Sequence, residues 1–297
     1  MPSRPASRGW FWAAVALTAV KLWLVAGQRI FAIGPAFHDD RLFVELAEHL
    51  VNGRWLGPYN QFTLAKGPML SFFIAAAFKL SVPLLFAQQL LYAGACATLT
   101  RSLRPWLRSG AIWFAFYALL LWNPMSYEAE NLSRVMRQNV YTPLALFCVA
   151  GLVTLFTRRR ENARSQAIAG ALAGLAFGCF WLTREESIWF VPAVGLLLLA
   201  PALAVRDELA TRWRPLAAGA GGFVVAALLP LLFVCTMNLR HYGWFGTVEF
   251  RAPEFNAAYG ALTRPIVGPE LKQVPVTRQM REATCRAATV AAAPIPA

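Results

Sequence analysis

The chain has 297 residues, of which 58% are hydrophobic and only 14% charged, and its mean hydropathy is +0.47. A water-soluble domain of that length needs far more polar surface, so a soluble globular protein is excluded. The net charge of +13 would point to nucleic acid in a soluble protein, but here the arginines cluster between apolar runs. That is the pattern of positively charged cytoplasmic loops, and no nucleic-acid partner is expected.

The N-terminus, "MPSRPASRGWFWAAVALTAV", starts basic like a signal peptide. Its apolar run is long and further runs follow, so it reads as an uncleaved first helix. Apolar runs of about 17 to 23 residues match a hydrocarbon core of ~30 Å. They predict spans at 10–31, 83–100, 106–123, 139–157, 165–182, 187–205 and 216–238. The stretch "GPMLSFFIAAAFKL", 67–80, is too short to span and suits an interfacial or re-entrant helix. Charge agrees: with seven spans and a cytoplasmic N-terminus, the inner segments 1–9, 101–108, 158–164 and 206–215 hold twelve arginines. They hold three acids, Glu161, Asp207 and Glu208, and counting 67–80 as a span would put "RRRENAR" outside.

The expected fold is therefore all-α: a polytopic helical membrane protein with about seven transmembrane helices. An outer-face loop, 32–82, carries an amphipathic and a re-entrant helix. Residues 1–238 form the transmembrane module, and 239–297 an extracytoplasmic tail that is a small or partial module. Gly170, Gly174 and Gly178 give the fifth span a small-residue face for close helix packing, and Pro230 predicts a kink in the last span. Cys96, Cys148, Cys179 and Cys235 lie in apolar runs and Cys285 in a polar one, with no spacing suited to disulfides or zinc.

Polar residues able to do chemistry collect on the outer side. The first loop has His38, Asp39, Asp40, Glu45, Glu48, His49, Arg54, Tyr59, Asn60 and Lys66. The second loop adds Glu128, Glu130, Arg134 and Arg137, and the third adds Arg184, Glu185 and Glu186. Interleaved carboxylates and cations at a membrane boundary suit a site for a phosphorylated lipid: cations hold the phosphate and a carboxylate takes a proton. Adjacent carboxylates also tend to raise the pKa of one of them.

Plainer readings exist for each group. Asp39 or Asp40 would cap the amphipathic helix predicted over 41–52, which Gly53 ends and which would lie flat at the interface. Lys66 would snorkel, Arg134 and Arg137 would pair locally with Glu130, and Glu185 and Glu186 would form a solvated turn. Lys21 sits near the middle of the first span, where a charge hints at function or snorkels outward. His49 and His241 lack metal-ligand spacing.

Taken whole, "DDRLFVELAEHLVNGRWLGPYNQFTLAKGPMLSFFIAAAF" resembles the opening loop of the GT-C glycosyltransferases. The nearest branch is the bacterial lipid A aminoarabinose transferases and the related protein mannosyltransferases. In that family an acidic pair opens an amphipathic helix, a Gly-Asp/Arg-Trp turn follows, and a Lys-Pro-Pro element opens a membrane-dipping helix. The counterparts here are Asp39-Asp40, Gly53-Arg54-Trp55 and Lys66-Gly67-Pro68. Gly67 departs from the pattern, as does Ala65, where many relatives are acidic. The resemblance covers roughly residues 10 to 205, most closely 36–80. Relatives usually continue with more spans, so the chain reads as a truncated or minimal member.

The resemblance implies transfer of a sugar from a polyprenyl-phosphate carrier to a glycan, lipid or protein acceptor. The reaction would be a single inverting displacement at the outer, periplasmic face of the cytoplasmic (inner) membrane. Asp39 would be the base, and Asp40 would hold the acceptor or a divalent ion, or cap the helix. Lys66, Arg134, Arg137 and Arg184 would bind the lipid phosphate, and Glu128 or Glu130 the acceptor or a metal. A divalent cation is the only cofactor left open. The rival class is a non-enzymatic membrane protein, either a transporter or flippase, or an inactive relative acting as an assembly partner. A transporter would show internal repeats and paired discontinuous helices, and the sequence has no repeat.

Overall fold

The computed structural model of the chain describes residues 8–35, 39–60, 62–128, 132–269, 271 and 274–291. The chain is all-helical. Its helices are α1 (Arg8–Ala26), α2 (Asp40–Val51), α3 (Met69–Lys79), α4 (Leu84–Ser102), α5 (Gly110–Leu121), α6 (Gln138–Thr157), α7 (Ala163–Trp181), α8 (Val191–Ala204), α9 (Leu209–Tyr242), α10 (Pro253–Thr263) and α11 (Arg278–Ala291). Two compact units divide at Thr247/Val248, nine residues beyond the predicted boundary at 238, because α9 runs on to Tyr242.

Every predicted span coincides with a helix, yet fewer meet the physical test for crossing a bilayer. Among the described residues, Arg8–Ala26, Gln138–Thr157, Glu185–Ala204 and Arg206–Tyr242 are long and apolar enough. Met69–Lys79 with Leu84–Ser102, bent by 112°, makes a fifth if the pair counts as one broken span. The shortfall from seven has two causes. The α5 helix has only 12 residues, about 18 Å at the helical rise, against a core of ~30 Å. The α7 helix is long enough, but Arg164, Ser165, Gln166 and its many small residues dilute its apolar character. The first span also ends earlier than expected, at Ala26.

Local sequence explains where helices begin and stop. Ser109 caps α5 by accepting the Ile112 N–H at 3.1 Å, and Asn162 caps α7 through Ser165 N–H at 2.9 Å. Gly243, at φ 72°, ends α9 in the left-handed conformation, with its N–H on the Leu239 carbonyl at 3.0 Å.

Packing divides the larger unit into two sub-bundles. One is built on α6, α7, α8 and α9 around Cys148, Leu152, Leu155, Phe223 and Ala227. Its tightest seam joins α7 to α9. A Cβ at Gly170, Gly174 or Gly178 would lie 2.0–2.4 Å from the carbonyl oxygens of Gly219, Phe223 and Ala227, so these backbones meet without intervening side chains. Pro230 lies inside α9 with its ring against Gly178. The other sub-bundle, α1, α4 and α5, closes around Tyr92, Cys96, Tyr117 and Leu121. Contact between α4 and α6 joins the two.

The arginine-rich connections gather at one end of these helices. Arg160 Nη2 meets Glu208 Oε1 at 2.7 Å, and Arg212 Nη1 donates to the Arg160 carbonyl at 2.7 Å. At the opposite end α2 and α3 lie across the bundle. The α2 helix buries Leu42, Phe43, Leu46 and Ala47 within the protein, so its apolar face packs on α3 and neighbouring loops. Ser71 Oγ donates to the Phe43 carbonyl at 3.0 Å, and Trp55 Nε1 donates to Asn238 Oδ1 at 2.8 Å, tying the turn after α2 to α9.

The smaller unit, Val248–Ala297, holds α10 and α11. Phe250, Phe255 and Tyr259 form an aromatic row within it, and Arg278 pairs with Glu282 along α11 at 2.8 Å.

Candidate functional site

The acidic pair opens α2, but not as a cap. Asp39 occupies the N-cap position with φ −129° and ψ −105°, and it makes no side-chain capping hydrogen bond. Asp40 is the first helical residue and is 0% exposed. The capping explanation therefore accounts for neither carboxylate.

Asp40 is held from both sides. Its Oδ1 accepts Arg134 Nη2 at 3.0 Å, and its Oδ2 accepts Arg134 Nε at 3.1 Å and the Ile33 N–H at 3.2 Å. This bidentate pair joins the first loop to the segment before α6. A short parallel bridge reinforces it: Phe31 N–H donates to the Ser133 carbonyl at 2.9 Å and Val135 N–H to the Phe31 carbonyl at 3.3 Å. With both oxygens engaged and no solvent access, Asp40 positions the loop.

Asp39 differs sharply from its neighbour. Its side chain is 57% exposed and ion-paired to Lys66, whose own side chain is 18% exposed. The hydrogen bond from Lys66 holds the Asp39 carboxyl below the usual carboxylate range. Partial burial opposes this, and the charges of Lys66, Arg137 and Arg134 reinforce it. The expectation that adjacency would raise one pKa is thus corrected for Asp39: Lys66 pulls it down, and Arg134 sits on Asp40.

The residue that follows Lys66 sits in a tight backbone contact. A Cβ at Gly67 would sit 2.1 Å from the Leu182 carbonyl oxygen, and Met69 N–H donates to that same carbonyl at 3.2 Å. The absence of a side chain at Gly67 lets the Lys66 loop press against the end of α7. Phe43 forms an apolar floor, with Lys66 Nζ 5.9 Å and the Arg137 guanidinium 5.6 Å from its ring centre.

The other predicted cations are paired too, Arg134 and Arg137 across loops and Arg184 within its own. Arg137 Nη1 donates to Glu185 Oε2 at 2.8 Å and to the Thr183 carbonyl at 3.3 Å. Arg134 and Arg137 therefore serve Asp40 and Glu185. Arg184 forms a two-pronged pair with Glu186 at 3.1 and 3.0 Å and lies 5.5 Å over the Tyr141 ring. Three loops thus converge at one end: Asp39, Asp40 and Lys66 from the first, Arg134 and Arg137 from the second, and Glu185 from the third. Glu128 is exposed after the 3₁₀ turn Pro124–Tyr127, its carbonyl accepting Leu132 N–H at 3.1 Å. Glu130 and His38 lie outside the described residues. Among the described residues, no group of three or more His, Cys, Asp or Glu side chains gathers to hold a metal ion. The clustered carboxylates instead face guanidinium and ammonium groups.

Lys21 belongs to the architecture. It is buried, donates to the Leu121 carbonyl at 2.6 Å and Ser126 Oγ at 3.1 Å, and lies 4.7 and 4.8 Å from the Tyr92 and Tyr127 rings. It satisfies the C-terminal carbonyl of α5 and favours the negative end of that helix. Phe43, Tyr141 and the Thr183 carbonyl are the site components that sequence reasoning missed; nothing in their spacing distinguishes them from ordinary core and loop residues.

Comparison with protein-family models, curated proteins and solved structures finds no match for this chain. What the fold and site define is a class: an all-helical protein with, among the described residues, four or five helices long and apolar enough to cross a membrane, and a carboxylate–cation cluster at one end of its bundle.

Proposed function

We propose that the chain is an integral-membrane glycosyltransferase of the GT-C type. It would move a sugar from a polyprenyl-phosphate carrier to an acceptor at the outer face of the cytoplasmic membrane. The supporting observation is the pairing of an exposed Asp39 with Lys66, beside Arg137 and the Arg134–Asp40 pair, from loops far apart in sequence.

In this reading Asp39 takes the proton of the acceptor hydroxyl as its oxygen attacks the anomeric carbon. The bond from that carbon to the phosphate oxygen breaks with inversion, and polyprenyl phosphate leaves with the electron pair. The phosphate needs cations and no proton donor; Lys66 is the nearest, with Arg137 and Arg184 behind it. Donor phosphate competes with Asp39 for Lys66, so donor binding frees the carboxylate and restores its basicity. Base strength thereby becomes conditional on a loaded donor. Asp40 holds the loop in register, and Glu128 and Glu130 remain candidates for the acceptor or a divalent cation.

The same reading takes α3 as a membrane-dipping helix and the chain as crossing seven times from a cytoplasmic N-terminus. The gathering of arginine-rich connections opposite the acidic cluster supports it. So do the 3₁₀ turns Arg104–Trp106 and Pro124–Tyr127 that flank the short α5. The test is transfer of labelled sugar from polyprenyl-phosphate donors in membranes holding wild type or Asp39→Asn. Undiminished transfer in the variant removes Asp39 as base. A non-catalytic relative is the second reading, favoured by the ion pairing of Asp39, Asp40, Glu185 and Glu186. It predicts no transfer by wild type with any donor. A reporter fused after Arg160 tests the topology, which requires a cytoplasmic signal there.

A further inference from the structure

A wide cavity lies at the end of the bundle opposite the acidic pair. It is a cleft of about 1800 Å³ where the α1–α4–α5 and α6–α7 groups diverge. The α4 helix, with 19 residues and so about 28 Å long, runs between the two ends. Its rim carries Arg101, Arg104, Arg108, Arg158 and Arg164 against a single acid, Glu161. Arg158 meets Glu161 at 3.8 Å, whereas the side chains of Arg101, Arg108 and Arg164 make no hydrogen bond or ion pair with the described residues. Deeper in, the lining changes to Ala14, Val15, Ile168, Ala169 and Leu172. The hydroxyls of Thr18 and Tyr117 are already paired with each other at 2.6 Å.

A bias of arginines toward one side of a membrane accounts for charge in the connecting loops. It does not account for a cleft that grades from guanidinium groups at the helix ends to apolar side chains one to two turns inward. The volume exceeds the ~300–1,000 Å³ of ordinary small-molecule pockets, and its polarity gradient follows the bundle axis. An elongated amphiphile with an anionic head matches both features, and basic pockets between transmembrane helices bind anionic lipid head groups in this way.

We propose that this cleft binds a diacyl anionic phospholipid from the leaflet opposite the acidic cluster. The phosphate lies among Arg101, Arg108 and Arg164, and the acyl chains run along Val15, Ile168 and Leu172. The proposal rests on the chain crossing a bilayer and is independent of the transfer reaction.

The test uses the full chain purified in detergent, titrated with dioleoyl phosphatidylglycerol or dioleoyl phosphatidylcholine and read by native mass spectrometry. Wild type retains one phosphatidylglycerol with a preference of about tenfold or more over phosphatidylcholine, the scale set by arginine–head-group attraction. The triple variant R101Q/R108Q/R164Q loses that preference, while R206Q, at the same end but outside the cleft, keeps it. Ala97→Trp fills the lining and leaves every charge in place, so it loses the retained lipid and decides the matter if the triple variant fails to fold. Equal retention of the two lipids by wild type, or full preference in Ala97→Trp or the triple variant, overturns the proposal. So does complete displacement of the lipid by sn-glycerol 3-phosphate, which would make the occupant a free phosphate.

Discussion

Replacing Asp40 with Asn isolates the element that holds the two outer loops together. The substitution keeps the side chain's size and removes its charge. It takes away the carboxylate that the Arg134 fork meets at 3.0 and 3.1 Å, and an amide N–H₂ then faces one of its donors. Hydrogen bonds to charged groups contribute ~1.5–3 kcal/mol each, and breaking one side of a buried pair costs ~3–5 kcal/mol. Arg134's side chain is 22% exposed, so water relieves part of the loss. The expected destabilisation is therefore about 3 kcal/mol, at the low end of that range. For a chain of this size that lowers Tm by roughly 6–12 °C. Thermal unfolding in detergent, followed by circular dichroism, measures it. Removing both charges with Asp40→Asn/Arg134→Gln recovers at least ~1 kcal/mol relative to the sum of the single changes. Strict additivity would show that the pair does not form, and with it the convergence of the first two loops would fall.

Asp39→Asn should act oppositely, changing unfolding by less than ~1 kcal/mol because an exposed ion pair contributes little. Labelled-sugar transfer should fall ~10²–10⁴-fold, as for loss of a general base. Lys66→Gln should move the acid limb of the kcat/KM profile to higher pH. Lys66 is the main group holding Asp39 below its usual range, and catalysis needs Asp39 ionised. The kcat limb should move less, since bound donor phosphate already draws Lys66 away; equal movement of both limbs would refute that exchange. Gly67→Ala should cost about 1–3 kcal/mol as its methyl meets the Leu182 carbonyl. It should also weaken donor binding by displacing Lys66; an unchanged Tm and KM would contradict the close approach.

Much of the helical plan was legible before any coordinates. Runs of apolar residues bounded by arginines or prolines place a helix at every predicted span, because length and burial in hydrocarbon act on local composition. The segment 40–51 announces itself by a hydrophobic stripe and a following glycine, and Gly53 does take a positive φ of 71°. The residues able to do chemistry were legible too, since charge is rare in such a chain and stands out. How they divide the work was not. Asp39 and Asp40 are chemically identical neighbours. One is exposed to solvent and meets an ammonium 27 residues on; the other is sealed under a guanidinium 94 residues on. That difference comes from how α2 enters against α3 and the second loop. Such contacts depend on long-range packing, which local pattern does not encode. Gly67 shows the same point: nothing local in the sequence requires a glycine there, and only the approach of the Leu182 carbonyl gives it a physical reason. Composition thus determined a run of apolar helices, several of them long enough to cross a membrane, with most charges in the segments between them. The tertiary structure settled which charges meet, because partners distant along the chain are chosen by the packing of the helices that carry them.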